Sequence, residues 1–511
     1  MTSDTSTQSK NTYADAIATL NKSFNDWSVN VNLGVSLSDS RYEMIGYEGG
    51  LKLINFFAVH NIDFNKAWKA KQSGWHDQTR AIFANAEIGW KSMIYLTATG
   101  RNDWDSRLAF SDYKSFFYPS IGLSAILTSM FNAPDWLTYL KVRGSYTEVG
   151  NSYGRFMTTV TYPYDEQTQS WTSTSSYPNT KLKPERTKSW EVGLDARILN
   201  DISLNLTYYR SNTYNQTFYA DLSLSSGYSN IPIQSGNIMN EGLEMSLGYN
   251  KQWKDFSFNT NYTLTWNKNR VKRLADGVYN YATGQPIQMP ELSPLTYGHT
   301  DARLILRVGG SMGDVYGQRL LKRDLNGYIL NEEGVGLAME NKETYLGSIL
   351  PKMNMGWSLG FGYKGVNLGM TFTGRFGGIV ISETQSVLDA AGVSKVSADV
   401  RDAGGVQINQ SKVSAQTYYQ TIQGTAAYYT YSATNVRLGE LSLSYTLPKK
   451  WFDNKVGMTV GLVGKNLWMI YCKAPFDPEL TTSAASNFYQ GFDAYMLPST
   501  RNFGFNVKFQ F

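Results

Sequence analysis

The sequence predicts an all-β chain whose antiparallel strands span a membrane as a β-barrel. Two observations carry this. Segment after segment alternates apolar with polar residues at a strict period of two, which gives each strand one face for hydrocarbon and one for water. The 511 residues are also rich in aromatics (14%, with 35 Tyr and 13 Trp), while mean hydropathy is only −0.35. No apolar run reaches the roughly 18 residues of a transmembrane helix. A membrane barrel looks polar on average because half of every strand faces a wet lumen.

The first such segment lies near Tyr13 to Phe24. Next, Trp27, Val29, Val31, Leu33, Val35 and Leu37 alternate with Ser28, Asn30, Asn32, Gly34 and Ser36. Trp190, Val192, Leu194, Ala196 and Ile198 alternate with Ser189, Glu191, Gly193, Asp195 and Arg197, so even charged residues fall on the inner face. Ile202, Leu204, Leu206 and Tyr208 repeat the pattern, as do Phe256, Phe258, Tyr262, Leu264 and Trp266. At the C-terminus, Phe503, Phe505, Val507, Phe509 and Phe511 share one face, and Asn502, Gly504, Asn506, Lys508 and Gln510 the other. A tilted span needs about 9 to 11 such residues. The aromatic end resembles the membrane-insertion signal of Gram-negative outer-membrane barrels. That resemblance implies a multi-pass barrel of the outer membrane, in contact with its lipid.

Composition narrows the function. The single cysteine, Cys472, excludes an internal disulfide framework, and His60, His76 and His299 are too scattered for a metal cluster. A net charge of +5 without a Lys/Arg tract gives no support to nucleic-acid binding. There is no GxSxG, HExxH, Walker loop or Cys/His pairing, so no enzyme, cofactor or metal is expected. Asp324-Leu-Asn-Gly327 with Asn331, Glu332 and Glu333 faintly suggests a calcium loop, but Asn-Gly reads more simply as a hairpin turn.

Connections alternate in length. Short turns are expected at Phe24 to Trp27, Trp90 to Met93, Leu199 to Ile202, Asn250 to Phe256, Lys364 to Val366 and Pro448 to Lys455. Long aromatic-rich segments lie between them: Asp39 to Gln78, Arg101 to Phe116, Thr147 to Thr187, Asn212 to Asn240, Lys268 to Ala302, Gly377 to Thr434 and Met469 to Arg501. Outer-membrane barrels have short periplasmic turns and long extracellular loops, so the long set is assigned outside. About seventeen strands are expected, the least certain lying between Arg303 and Lys322. The first runs downward from outside, as if the sequence starts partway round a barrel. Met1 to Lys10 shows no basic or apolar leader pattern.

Several motifs resemble the SusC/RagA class of TonB-dependent outer-membrane transporters. They are Tyr95 to Arg107, Phe117 to Ser124, Leu182 to Glu185 before Ser189 to Gly193, and Gly236 to Glu244. Gly313 to Gly317, Leu438 to Pro448, Gly464 to Leu467 and Asp477 to Glu479 follow in order. The resemblance implies a plugged barrel of about 22 strands, of which residues 1–511 look like the C-terminal part. Signal peptide, TonB box and plug are expected to be absent. It further implies TonB, a SusD-like surface lipoprotein lid and uptake of oligosaccharides or peptides.

Sugar rings stack on Trp and Tyr while Asp, Asn and Arg bind their hydroxyls. Candidate substrate-binding residues in the loops are therefore Arg101, Asp103, Trp104, Asp105, Trp171, Tyr177, Tyr418, Tyr419, Tyr428 and Tyr429. An interfacial girdle or contacts to a lid would enrich the same types. Two alternatives to the importer remain: a self-contained passive porin of about 16 strands, and a soluble surface glycan-binding β-protein.

Overall fold

The computed structural model describes residues 2–511 except 67, 166–169, 235, 280–283, 290, 333–335, 410, 481 and 484–486. Fifteen strands form one sheet, each hydrogen-bonded to the next in chain order. They are β1 (Thr2–Phe24), β2 (Trp27–Gly49), β3 (Trp68–Trp90), β4 (Ile94–Asp105) and β5 (Phe116–Ile126). β6 (Leu137–Asn151), β7 (Glu185–Ile198), β8 (Ile202–Tyr214), β9 (Asn237–Trp253) and β10 (Phe256–Arg273) follow. β11 (Met353–Tyr363), β12 (Val366–Phe376), β13 (Asn435–Leu447), β14 (Gly457–Cys472) and β15 (Asn502–Gln510) complete it. Every pairing is antiparallel. β1 pairs with β2 alone and β15 with β14 alone, so among the described residues both outer edges of the sheet are unpaired.

The alternation decides which face is which. Leu33 (56%), Val192 (56%), Leu462 (64%) and Phe505 (79%) are widely exposed, as a face turned to lipid must be. Asn30, Asn32, Gly34 and Ser36 take the other face. Tight turns at one end hold the strands. Asn25, Leu199, Asn200, Lys364 and Gly365 have left-handed φ, as strand twist favours in tight hairpins, and so do Lys91 and Ser92 in the three-residue connection between β3 and β4. The turn expected over Asn250 to Phe256 narrows to Lys254 and Asp255, because β9 runs to Trp253.

Two expectations change. β1, β2 and β3 have 23 residues each, about twice a membrane span, and β1 begins at Thr2 rather than near Tyr13. Most of the loop expected over Asp39 to Gln78 is a hairpin standing above the membrane. Among the described residues, 50–66 lie between its arms. Beyond Leu37 these strands lie in water, so nothing requires them to alternate.

The strands expected between Arg303 and Lys322 exist, yet outside the barrel. They join a separate four-stranded sheet of Glu291–Thr296, Arg303–Arg307, Asp314–Leu321 and Met339–Ser348. Leu304, Ile305 and Leu306 are buried in succession, a pattern for a strand covered on both faces rather than one touching lipid. That accounts for fifteen barrel strands where about seventeen were expected.

Compact cores form in the loops. One unites Tyr297, Leu304, Leu306, Val315, Ile349, Ile381 and Phe492, drawn from three long connections. The connection over 377–434 also holds three helices, Glu383–Ala390, Lys395–Asp402 and Ala415–Ile422. None of the described helices is long and apolar enough to cross a membrane.

Candidate functional site

Directly paired residues share a face, so rows across the sheet map the lumen wall. One inner row runs Gly34, Phe83, Arg101, Tyr118. A Cβ on Gly34 would sit 2.2 Å from the Phe83 ring, so glycine is what lets that ring lie flat on the wall. The Arg101 guanidinium stands 5.7 Å from the ring centroid, and its Nε donates to Asp103 at 2.7 Å. Tyr118 donates its hydroxyl proton to the same carboxylate at 2.8 Å. Asp103 is thereby occupied, whereas Arg101 keeps part of its guanidinium open to the lumen.

Asp105 is buried and structural. It accepts from Arg107 Nη2 (2.6 Å), from Ser152 Oγ (2.7 Å) and from the Arg107 backbone N–H (2.9 Å), capping the turn Ser106–Leu108. Trp104 points the other way, paired with Arg80 on the outer face and 45% exposed. The sequence cluster Arg101 to Asp105 is thus split between lumen, cap and outer surface by the same period of two that defines the strand.

Deeper in the wall, Arg143 crosses over Gly193 to donate to Thr207 Oγ1 at 2.7 Å. A Cβ on Gly193 would lie 2.6 Å from Arg143 Nε. Beside it Tyr95, Thr97, Ser124, Lys141 and Glu191 line a cavity of about 170 Å³. This wall offers hydrogen bonds and charge of both signs, suited to a polar solute.

The loop aromatics separate into two groups. Tyr419 and Tyr429 are buried, and Tyr418 and Tyr428 pack with them against Leu321, Leu337, Ile408 and Ile422. Tyr428 Oη accepts from the Leu321 N–H at 3.1 Å. Burial raises the pKa of the Tyr429 hydroxyl well above its ordinary value. These four rings belong to one core, two of them buried in it and two partly buried against it. Trp171 is 70% exposed and meets Tyr164 edge-on at 5.1 Å. Tyr177 meets Tyr228 edge-on at 5.1 Å over the cluster of Ala220, Ile231 and Ile233.

Phe503, Phe505, Val507 and Phe509 lie exposed on β15, with Phe511 just beyond it. At the weak calcium-loop pattern, Asp324 Oδ1 accepts from the Asn326 and Tyr328 N–H groups, as a turn requires; Glu333 lies outside the described residues.

Two features were not singled out as sites from sequence. The first is a clamp. Arg437, on β13, donates to both oxygens of Asp477 at 2.8 and 3.0 Å. Buried Asn435 accepts from Arg437 and donates to Glu479 Oε1 at 3.0 Å. Burial pushes the Asp477 carboxyl up, but the hydrogen bonds and charge of Arg437, with the Glu479 N–H and Ser499, together outweigh it and hold its pKa below the usual range.

The second is the tip of the β2–β3 hairpin. Leu53 (65%), Ile54 (87%) and Phe57 (74%) face solvent there, with Phe56 half-exposed. The tip is held in shape by buried Asn61, whose side chain bonds Leu53 N–H (3.0 Å), Leu53 C=O (2.8 Å) and Phe56 C=O (2.7 Å).

A sheet with a lipid-compatible outside, a hydrogen-bonding inside and large structured loops at one end defines a receptor-type outer-membrane barrel. The family model described as TonB dependent receptor-like, beta-barrel, matches residues 2–467, and the chain belongs to that family. It is 24% identical to the TonB-dependent receptor P3 of Formosa agariphila, over 98% of this chain and 52% of that protein. It is 25% identical to the TonB-dependent receptor SusC of Bacteroides thetaiotaomicron, over 47% of this chain and 22% of that one. The structure of the RagAB peptide importer in the open-open state matches 99% of this chain and 55% of that chain, with TM-score 0.76 and 19% identity. The closed-closed state matches with the same TM-score. The chain spans about half the length of the first curated relatives it matches. The SusC/RagA resemblance read from the motifs agrees with these matches, and a TonB-dependent receptor barrel is an outer-membrane fold.

Proposed function

We propose that these 511 residues are the C-terminal part of a SusC-like importer that takes up an oligosaccharide or peptide, driven through TonB and served by a SusD-like lipoprotein lid. The observation that carries the proposal is the apolar tip of the β2–β3 hairpin. Exposed Leu53, Ile54 and Phe57, preorganised by Asn61 on an arm that stands above the membrane, call for a protein partner on the extracellular side. Arg101 on the lumen wall and Trp171 in the loops are the candidate residues still positioned to meet a solute. The relatives named SusC and RagAB agree with this reading.

A self-contained 16-stranded porin would need its first and last strands to pair. β1 and β15 do not, which instead fits closure by further strands. Affinity purification from native outer membranes tests the proposal. A stoichiometric surface lipoprotein should accompany the protein; recovery of the protein as a soluble periplasmic species would refute it.

A further inference from the structure

On the outer face of β6 to β10 the apolar surface ends abruptly. Val192, Tyr208, Leu243 and Trp266 form one continuous row, joined by direct pairing from strand to strand. The row immediately above on the same face is Trp190, Arg210, Glu241, Lys268, and the next contains Lys188, Asn212, Met239 and Arg270. Trp190 and Trp266 are 41% and 37% exposed, where amphipathic rings mark the border between hydrocarbon and headgroups. The two rows above that of Trp266, the first of which holds Trp190 itself, therefore lie at headgroup level.

The charges there are unequal. Glu148 is shared by Arg186 and Lys188, each at 3.1 Å, and Glu241 faces Lys268 at 3.7 Å. Arg210 and Arg270 have no ion pair among the described residues. Five cations thus face two carboxylates on a surface that points away from the lumen. Lys268 and Arg270 also border a groove of about 560 Å³ between the barrel rim and the four-stranded loop sheet, together with Lys352 and the Gly309–Gly310 turn. A guanidinium matches a phosphate with two parallel hydrogen bonds, and a partly desolvated headgroup layer strengthens that pairing.

We propose that this outward patch, centred on Arg210 and Arg270, binds the phosphate-bearing headgroup of an outer-leaflet glycolipid. The inference rests on the outer-membrane placement of the barrel. The same register that keeps the apolar rows in hydrocarbon holds the two unpaired guanidinium groups where such phosphates lie.

The test uses the protein extracted from outer membranes in mild detergent, with bound phosphoglycolipid counted by native mass spectrometry. Arg210→Gln with Arg270→Gln is expected to lower affinity, and so occupancy at sub-saturating lipid, about twenty-five-fold, the loss of two surface cations worth roughly five-fold each. Arg210→Lys with Arg270→Lys should retain most of it. Equal occupancy in the wild type and the glutamine variant overturns the proposal. A second measurement holds even if that variant fails to assemble: wild-type protein in nanodiscs should melt higher with phosphorylated than with dephosphorylated glycolipid. The difference should shrink in about 1 M salt. Identical melting in the two lipids overturns the proposal, as does the same stabilisation by inorganic phosphate alone, which would make the site one for free anions. Protein found outside the membrane fraction overturns the barrel placement as well, whereas a membrane-embedded barrel indifferent to the phosphate overturns this inference alone.

Discussion

Arg437 and Asp477 are joined by two hydrogen bonds of 2.8 and 3.0 Å, although forty residues separate them in sequence. The pair fastens the connection between β14 and β15 to the rim of β13, with Asn435 and Glu479 completing the network. A planar guanidinium gripping both carboxylate oxygens sets orientation as well as distance, so the pair fixes how this loop sits over the lumen.

Removing one partner should cost more than removing both. Arg437→Met leaves a half-buried carboxylate unpaired, worth about 3–5 kcal/mol, whereas adding Asp477→Leu should recover much of it. Limited proteolysis within residues 473–501 is the readout: fast cleavage in the single variant and near wild-type cleavage in the double. Equal protection in all three proteins would show that the clamp does not hold the loop.

Acid should release the same loop. The folded-state pKa of Asp477 is lowered, so its contribution is present above the ordinary carboxylate pKa of about 3.9 and fades as pH falls through the lower folded value. Proteolytic sensitivity of 473–501 should therefore appear only below about pH 4. Onset near pH 6 would point to a different group.

Glycines on the lumen wall should not be equivalent. A Cβ at Gly34 meets the Phe83 ring at 2.2 Å, while one at Gly122 finds nothing nearer than Ser145 Cβ at 3.8 Å. Gly34→Ala is expected to displace the ring at a cost of about 1–3 kcal/mol and Gly122→Ala to be nearly neutral. The melting temperatures of the two variants check this, and equal melting would contradict the packing described.

Polar residues at the hairpin tip should uncouple the lid without harming the barrel. Ile54→Asp with Phe57→Asp touches side chains that are 87% and 74% exposed, so folding should be unchanged. Co-purification of the lipoprotein should fall at least about tenfold, as for loss of interface anchors. Undiminished co-purification would place the lid contact elsewhere.

Much of this architecture was legible from period and turn chemistry alone. Trp27 to Leu37 and Phe503 to Phe511 declare their faces because lipid demands an apolar residue at every second position. Above the membrane that demand lapses, so the upper halves of β2 and β3 read as loop. Arg303 to Arg307 read as barrel because an apolar strand is ambiguous until its partners are known. The helices in 377–434 did leave a signal: Ser382, Ser394 and Ser414 each accept a hydrogen bond from the N–H three residues on, the usual N-cap.

The candidate site was less legible for a related reason. Composition marks Tyr418, Tyr419, Tyr428 and Tyr429 as aromatic but does not reveal that they pack on Leu321 and Ile422. Trp104 and Asp105 are neighbours in sequence and on opposite faces in space. The clamp residues Asp477 and Glu479 were visible as a motif, but their role needed Arg437 brought to them by the fold.

Solute uptake by cells carrying the protein in its natural genetic context, with and without functional TonB, tests the central claim most directly. The importer reading predicts that labelled oligosaccharide or peptide accumulates only when TonB is functional. Equal accumulation in cells lacking TonB would contradict it and mark the barrel as a passive pore.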